Sequence, residues 1–241
     1  MILTIYIIIL TYFILGGISF HFINKKKSPQ KAKENRIKFI SYFFIIHILF
    51  LGIIFNPVVF QFIGIIIVLT GLFEVIKLFK ESNYRNPRFF AVFILFFMIL
   101  CSGFIFFTFM EKDLILFTFL ILSVFDAFSQ ISGQLFGRKK IFPAISPNKT
   151  YEGLAGGIII AISSSLMINE LIGKDQPEAL FIASGIILFS FIGDASSSLY
   201  KRKYNVKDFS NIIPGHGGIM DRFDSLIAGG TFIALLALMG I

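Results

Sequence analysis

Apolar runs of about 20 residues recur along the chain, separated by short segments where Lys, Arg, Asp, Glu, Gly and Pro collect. A helix of that length crosses the ~30 Å hydrocarbon core of a bilayer. In hydrocarbon every backbone N–H and C=O must be paired within the segment, which an open sheet does not achieve. The pattern therefore predicts an all-α, polytopic integral membrane protein. It is read as a bundle of about eight transmembrane helices over 2–23, 39–55, 58–79, 89–109, 114–136, 153–172, 180–199 and 223–240. The first run lacks a preceding basic segment and a small-residue cleavage site, so it is read as a helix rather than a signal peptide.

Composition agrees with that reading. Hydrophobic residues make up 56% of the 241 and charged residues 15%, and the mean hydropathy is +0.85. A soluble domain carries about 25% charged residues; here too few remain to clothe a water-facing surface. Cys101 is the single cysteine, in an apolar run, which excludes an internal disulfide and a Cys/His zinc site and predicts a buried thiol.

The charge is unevenly distributed. All but two of the 22 Lys and Arg, namely Lys112 and Lys174, fall in or beside segments 24–38, 80–88, 137–152 and 200–222. These alternate with segments poor in base, as cytoplasmic and external loops do. Both termini are thus expected outside and the four basic loops in the cytoplasm. The net charge of +8 sets orientation and contacts anionic lipid, and no nucleic-acid partner is expected.

Two of those loops hold more than bases. Residues 192–225 carry Asp194, Asp208, Asp221, Asp224 and His216, with Lys201, Arg202, Lys207 and Arg222. Ionisable groups at the ends of apolar helices are costly and mark functional sites. Asp221 and Asp224 are three apart and share a helix face. Hard carboxylate oxygens suit Mg2+, which fills its remaining shell with water and phosphate oxygens. Pro214-Gly215-His216-Gly217-Gly218 just before them permits close backbone approach and, at a helix start, offers N–H groups to phosphate. The same stretch is also readable as a polar hairpin with N-capping aspartates.

The second loop contains Arg138, Ser146, Lys149, Thr150 and Glu152. Arg138 and Lys149 suit phosphates, Ser146 or Thr150 a nucleotide, and Thr150 equally suits a helix cap. Gly153, Gly156 and Gly157 give the following helix a small face for close packing. Asp126, with Ser129, Gln130, Ser132 and Gln134, forms a polar stripe facing the bundle interior, as packing glue or as part of a site. Glu74 and Lys77 are expected to pair, and His21 and His47 to be structural.

Ser198-Leu-Tyr-Lys201-Arg202, Lys207-Asp208 and Pro214-Gly-His216-Gly217-Gly218-Ile-Met-Asp221-Arg222-Phe-Asp224 together resemble the signature of the phosphatidate cytidylyltransferase (CDP-diacylglycerol synthase) family. Gly137-Arg138 and Ser146-Pro-Asn-Lys149-Thr150-Tyr-Glu152-Gly153 are similar to its second block, and Asp126 falls where it usually has an aspartate. The resemblance covers the C-terminal half, so residues 114–241 are expected to form the catalytic region and 1–113 four supporting helices. It implies that CTP and phosphatidate, or a related lipid phosphate, give CDP-diacylglycerol and pyrophosphate with Mg2+, with room for a second cation. It implies Asp194, Asp221 and Asp224 as metal ligands, and Lys207, Asp208, His216 and Arg222 as catalytic residues. Arg138, Ser146, Lys149, Thr150, Lys201, Arg202, Gly217 and Gly218 would bind substrate, with Asp126 and Glu152 as further candidates. It also implies a homodimer. The alternatives are cytidylyl transfer to an isoprenoid ether lipid phosphate, a CTP-dependent polyprenol kinase, and a transporter. Against the last, the two halves show no matching broken helices.

Overall fold

The computed structural model describes residues 2–25, 27–213 and 217–240. Eight α-helices fill most of them: α1 (Ile2–Lys25), α2 (Pro29–Phe55), α3 (Pro57–Glu81), α4 (Pro87–Thr108), α5 (Lys112–Phe136), α6 (Tyr151–Met167), α7 (Gln176–Lys203) and α8 (Met220–Leu238). The helix starts follow local chemistry. Ser28, Asn56, Thr150 and Asp175 accept a hydrogen bond from a backbone N–H in the first turn of α2, α3, α6 and α7. Pro29, Pro57, Pro87 and Pro177 occupy first-turn positions, where no N–H is missed.

Helices α1–α5 and α7 are long and apolar enough to cross a membrane. Their outer faces carry Leu3, Phe44, Phe62, Leu69, Val92, Ile99 and Phe181 to the exterior, as a lipid-facing surface requires. The protein is an all-α polytopic membrane protein. Helices α6 and α8 depart from the expected spans. At 17 residues, α6 is about 25 Å long. It ends at Met167, and 169–172 turn as a short 3-10 segment closed by Gly173 at φ +61°. Helix α8 carries Asp221, Arg222 and Asp224 in its first turns. Much of the basic 24–38 segment is likewise helical, because Ser28 and Pro29 start α2 ten residues before the apolar run.

The interior is organised around α5 and α8. Every residue from Ile115 to Leu122 is buried, as is nearly all of α8 from Met220 to Ala234. One apolar core draws on all eight helices and includes Cys101, which is buried and free. Close packing uses small residues where helices cross. A Cβ at Gly153 would lie 2.7 Å from the Ser129 carbonyl oxygen, and one at Gly156 2.2 Å from Ser132 Oγ, so the polar stripe of α5 is the seat of α6. His47 Nδ1 lies 2.8 Å from the Phe43 carbonyl, among aromatic rings, as a structural histidine.

An unforeseen feature lies between α5 and α6: β1 (Lys140–Phe142) and β2 (Ser146–Thr150) form an antiparallel hairpin, with Lys140 opposite Thr150 and Phe142 opposite Ser146. Backbone pairing of this kind is available at the membrane edge, outside hydrocarbon.

Candidate active site

The start of α8 poses a local problem. Its N-cap residue is Ile219, which has no side chain able to cap, and the N–H groups of the first turn face the protein interior. Such orphan donors need partners. Two carboxylates supply them. Glu74 of α3, 1% exposed, accepts from Ile219 N at 3.1 Å, Met220 N at 2.8 Å and Ser210 Oγ at 2.6 Å. Asp221 Oδ2 accepts from Gly218 N and Phe209 N, each at 2.8 Å. Its Oδ1 pairs with Lys201 Nζ at 2.5 Å, and the ammonium also lies over the Phe209 ring. The Lys201 and Asp221 side chains are 10% and 1% exposed, so this is a buried ion pair.

These contacts revise several expectations. The N–H groups of 218–220 are held by the protein's own carboxylates and are not free for phosphate. Gly217 and Gly218 serve that same packing: a Cβ would lie 2.7 Å from Asp221 Oδ2 at Gly217 and 2.4 Å from Glu74 Oε1 at Gly218. Lys201 is committed to Asp221. Glu74 does not pair with Lys77, which instead lies 3.6 Å from Glu81 one turn further on. The role of Glu74 was illegible locally, because its partners are about 140 residues away; its only signal was an acid in an apolar helix.

A second group of charges gathers beside this one. Asp126 of α5, Asp194 of α7 and Asp224 of α8 lie close enough to act on one another electrostatically, and Arg222 acts on both Asp126 and Asp224. Lys149, at the end of β2, forms an ion pair with Asp194, lies over the Phe191 ring and acts on Asp126 as well. Asp224 is 6% exposed, and its Oδ1 accepts from Ser225 N at 2.8 Å. The buried Ser197 Oγ faces the same carboxylate without a well-formed hydrogen bond. Asp194 also accepts from Ser198 Oγ at 3.4 Å. Tyr42 of α2 reaches this cluster, with its hydroxyl 3.3 Å from the Ser123 carbonyl and within the field of Asp126 and Arg222.

Close helix approach makes the cluster. At Gly193 a Cβ would lie 2.5 Å from Ala228 Cβ and 2.8 Å from the Asp224 carbonyl oxygen, so only glycine lets α7 bring Asp194 beside Asp224. Gly193→Val is expected to force α7 and α8 apart, at about 1–3 kcal/mol of stability. Thermal unfolding in detergent measures this.

The hairpin and the 204–219 loop are tied to each other. Arg202 Nε donates to the Ile145 carbonyl at 3.0 Å, and its Nη1 to the Val206 carbonyl at 2.8 Å. Arg202 is thus a strap between the two loops, where a substrate cation was expected. Thr150 is buried as the cap of α6, with Oγ1 accepting from Gly153 N at 3.1 Å, and Glu152 accepts from Arg138 N at 3.0 Å and from Lys139 N. Ser146 starts β2 and is half-buried. Arg138, Lys207, Asp208 and Arg222 are exposed around the same two loops, and His216 lies outside the described residues.

The expected metal set is only partly assembled. Among the described residues no three Asp, Glu, His or Cys side chains converge on a metal-binding geometry. Asp221 is turned into the loop, whereas Asp194 and Asp224 come together with Asp126. Mg2+ typically takes one or two protein carboxylates. The repelling, hard-oxygen pair Asp194 and Asp224 fits that donor set.

Comparison with known proteins gives a consistent result. The chain is 44% identical over 115 residues to a phosphatidate cytidylyltransferase of Staphylococcus epidermidis, covering 47% of this chain and 44% of the relative. It is 42% identical over 113 residues to the Bacillus subtilis protein of that name, covering 46% and 42%. With the Haemophilus influenzae protein of that name it shares 37% over 127 residues, covering 50% and 44%. The matched stretch thus spans less than half the length of these curated relatives. The family model described as "Cytidylyltransferase family" matches residues 89–239, from the start of α4 to the end of α8 and so across every charged residue above except Glu74, Lys77 and Glu81 of α3. The chain belongs to the cytidylyltransferase family.

Proposed function

We propose that the protein transfers the cytidylyl group of CTP to phosphatidate, releasing pyrophosphate and leaving CDP-diacylglycerol in the membrane. The observation that carries this reading is the meeting of Asp126, Asp194 and Asp224 with Lys149 and Arg222, within the family-matched region and beside two basic loops. A phosphate oxygen of the lipid attacks the α-phosphorus of CTP, and the bond from that phosphorus to the bridging oxygen of the pyrophosphate breaks. The nucleophile is already an anion and needs no general base. The barrier lies in bringing anions together and in the charge that develops on them.

The chain's own groups address that barrier. Lys149 and Arg222 flank the carboxylates and balance phosphate charge, and Lys207 and Arg138, exposed on the two loops, extend the positive surface toward the nucleotide. Asp208, exposed on the same loop, orients Lys207, and His216, outside the described residues, is assigned to phosphate by the sequence motif alone. Asp194 and Asp224 would hold Mg2+, with Asp126 available to a second cation. Bound there, the metal would supply neutralisation of phosphate charge. Lys201, Asp221 and Arg202 act indirectly, by fixing the loop that carries Lys207 and Arg222. Residues 114–241 carry the chemistry, and the helices of 1–113 support it. The alternating basic loops support a cytoplasmic position for this face, with the lipid entering from that leaflet. The homodimer that the resemblance implies belongs to the same reading.

The test is an assay of purified protein in detergent with labelled CTP, phosphatidate and Mg2+, following lipid-bound cytidine and pyrophosphate together. Equal amounts of both, lost on adding EDTA, are expected. Release of CDP with a phosphorylated lipid would assign kinase chemistry instead, and product only with other lipid phosphates would change the acceptor.

A further inference from the structure

Glu74 lies outside the family-matched region, on a helix assigned above to support, yet it is among the most buried acids in the protein. It occupies the one place where the sequence of α8 provides no cap of its own. Ile219 cannot cap, so Ile219 N and Met220 N depend on a carboxylate from elsewhere. Glu74 reaches them from α3 and binds Ser210 Oγ at the same time, joining the 204–219 loop to the first turn of α8. Its negative charge also complements the positive end of the helix dipole. Gly218 has no side chain at the point where one would strike the carboxylate. Asp221, Arg222 and Asp224 all sit in the turns this contact fixes. Neighbouring Val75 adds a second tie, since its carbonyl accepts from the buried Tyr200 hydroxyl of α7 at 2.8 Å.

We propose that Glu74 is a positioning residue for the reaction, holding Ser210 and the start of α8 in the geometry that presents Arg222 and Asp224 to substrate. Helix α3 is then part of the working site. The proposal rests on the cytidylyl-transfer reading for its kinetic consequence, while its structural consequence can be read without any activity.

Glu74→Gln keeps the size of the side chain but replaces one acceptor oxygen with an NH2 group that opposes the Met220 or Ile219 N–H. Ser210→Ala removes the bond to Glu74 and the longer one from Ile212 N, and leaves both α8 N–H bonds to Glu74 in place. Glu81→Gln, on the exposed face of α3, is the control. Hydrogen exchange on the full-length protein in detergent should show faster exchange at 205–222 in Glu74→Gln, a smaller rise in Ser210→Ala, and no change in the control. With CTP and phosphatidate, kcat should fall on the order of tenfold or more in Glu74→Gln. Glu74→Asp, which keeps the charge, should recover part of the loss. Unchanged exchange at 205–222, or a uniform rise across all helices, overturns the proposal. So does normal kcat in a variant whose loop exchange has risen. If the wild-type protein makes no CDP-lipid, the functional reading fails, and the local exchange pattern still decides whether Glu74 holds the loop.

Discussion

Asp221→Asn is expected to lose turnover and stability together. The Asp221 carboxylate accepts from Lys201 Nζ, Phe209 N and Gly218 N in a nearly dry setting. Asparagine has one acceptor oxygen, and its NH2 must face either the ammonium or the two backbone donors. The buried Lys201 ammonium then loses its ion-pair partner, and only Asp224, with which it makes no direct contact, still acts on it. Removing one partner of a buried ion pair costs about 3–5 kcal/mol. Turnover should fall by about a hundredfold or more, because the loop and the first turn of α8 lose their shared anchor. Thermal unfolding in detergent and the CTP assay measure the two effects. Adding Lys201→Met to Asp221→Asn removes the stranded charge and should restore part of the stability without the activity, a double-mutant cycle that isolates the pair. Near-normal turnover in Asp221→Asn would dissociate loop geometry from catalysis.

Asp224→Asn is expected to separate the same two quantities. Asp224 shares its surroundings with Asp126 and Asp194, and like charges in one site raise the energy of the folded state. Neutralising one of them should leave the protein as stable or about 0.5–2 kcal/mol more stable. Turnover should still fall by about a hundredfold or more, since a carboxylate available for Mg2+ is gone. The metal gives an independent readout. Mg2+ at about a hundred times its Kd stabilises the folded state by about 2.7 kcal/mol. The wild type should therefore gain melting temperature with Mg2+, and Asp224→Asn should gain little. A variant that loses stability in the absence of metal, like Asp221→Asn, would assign Asp224 to the scaffold.

The two aspartates are three residues apart and indistinguishable in the sequence, where both read as metal ligands on one helix face. Their separation comes from where α8 begins. Helix geometry puts Asp221 in the first turn, where unpaired N–H groups and Lys201 draw its carboxylate back into the loop, while Asp224 points across to α7. The glycines show a similar limit. That Gly217 and Gly218 permit close approach was legible; that the approaching groups are Asp221 and Glu74 was not. The Thr150 cap and the Gly153-Gly156-Gly157 packing face were readable because they act within a few residues or follow helical spacing.

The sequence by itself determined what depends on local chemistry and on period. Long apolar runs require helices in hydrocarbon, Pro and cap residues start several of them, and the 198–224 motif marks the family. Tertiary structure alone decided the partners. Lys201 against Asp221, Arg202 between two loops, Glu74 at a helix end about 140 residues away, and Asp126 beside Asp194 and Asp224 all follow from how the helices pack. The physical reason is that a buried charge or orphan N–H must find a partner, and in a bundle the partner is set by which helices touch, through contacts such as that of Gly193 of α7 against α8, and not by separation along the chain.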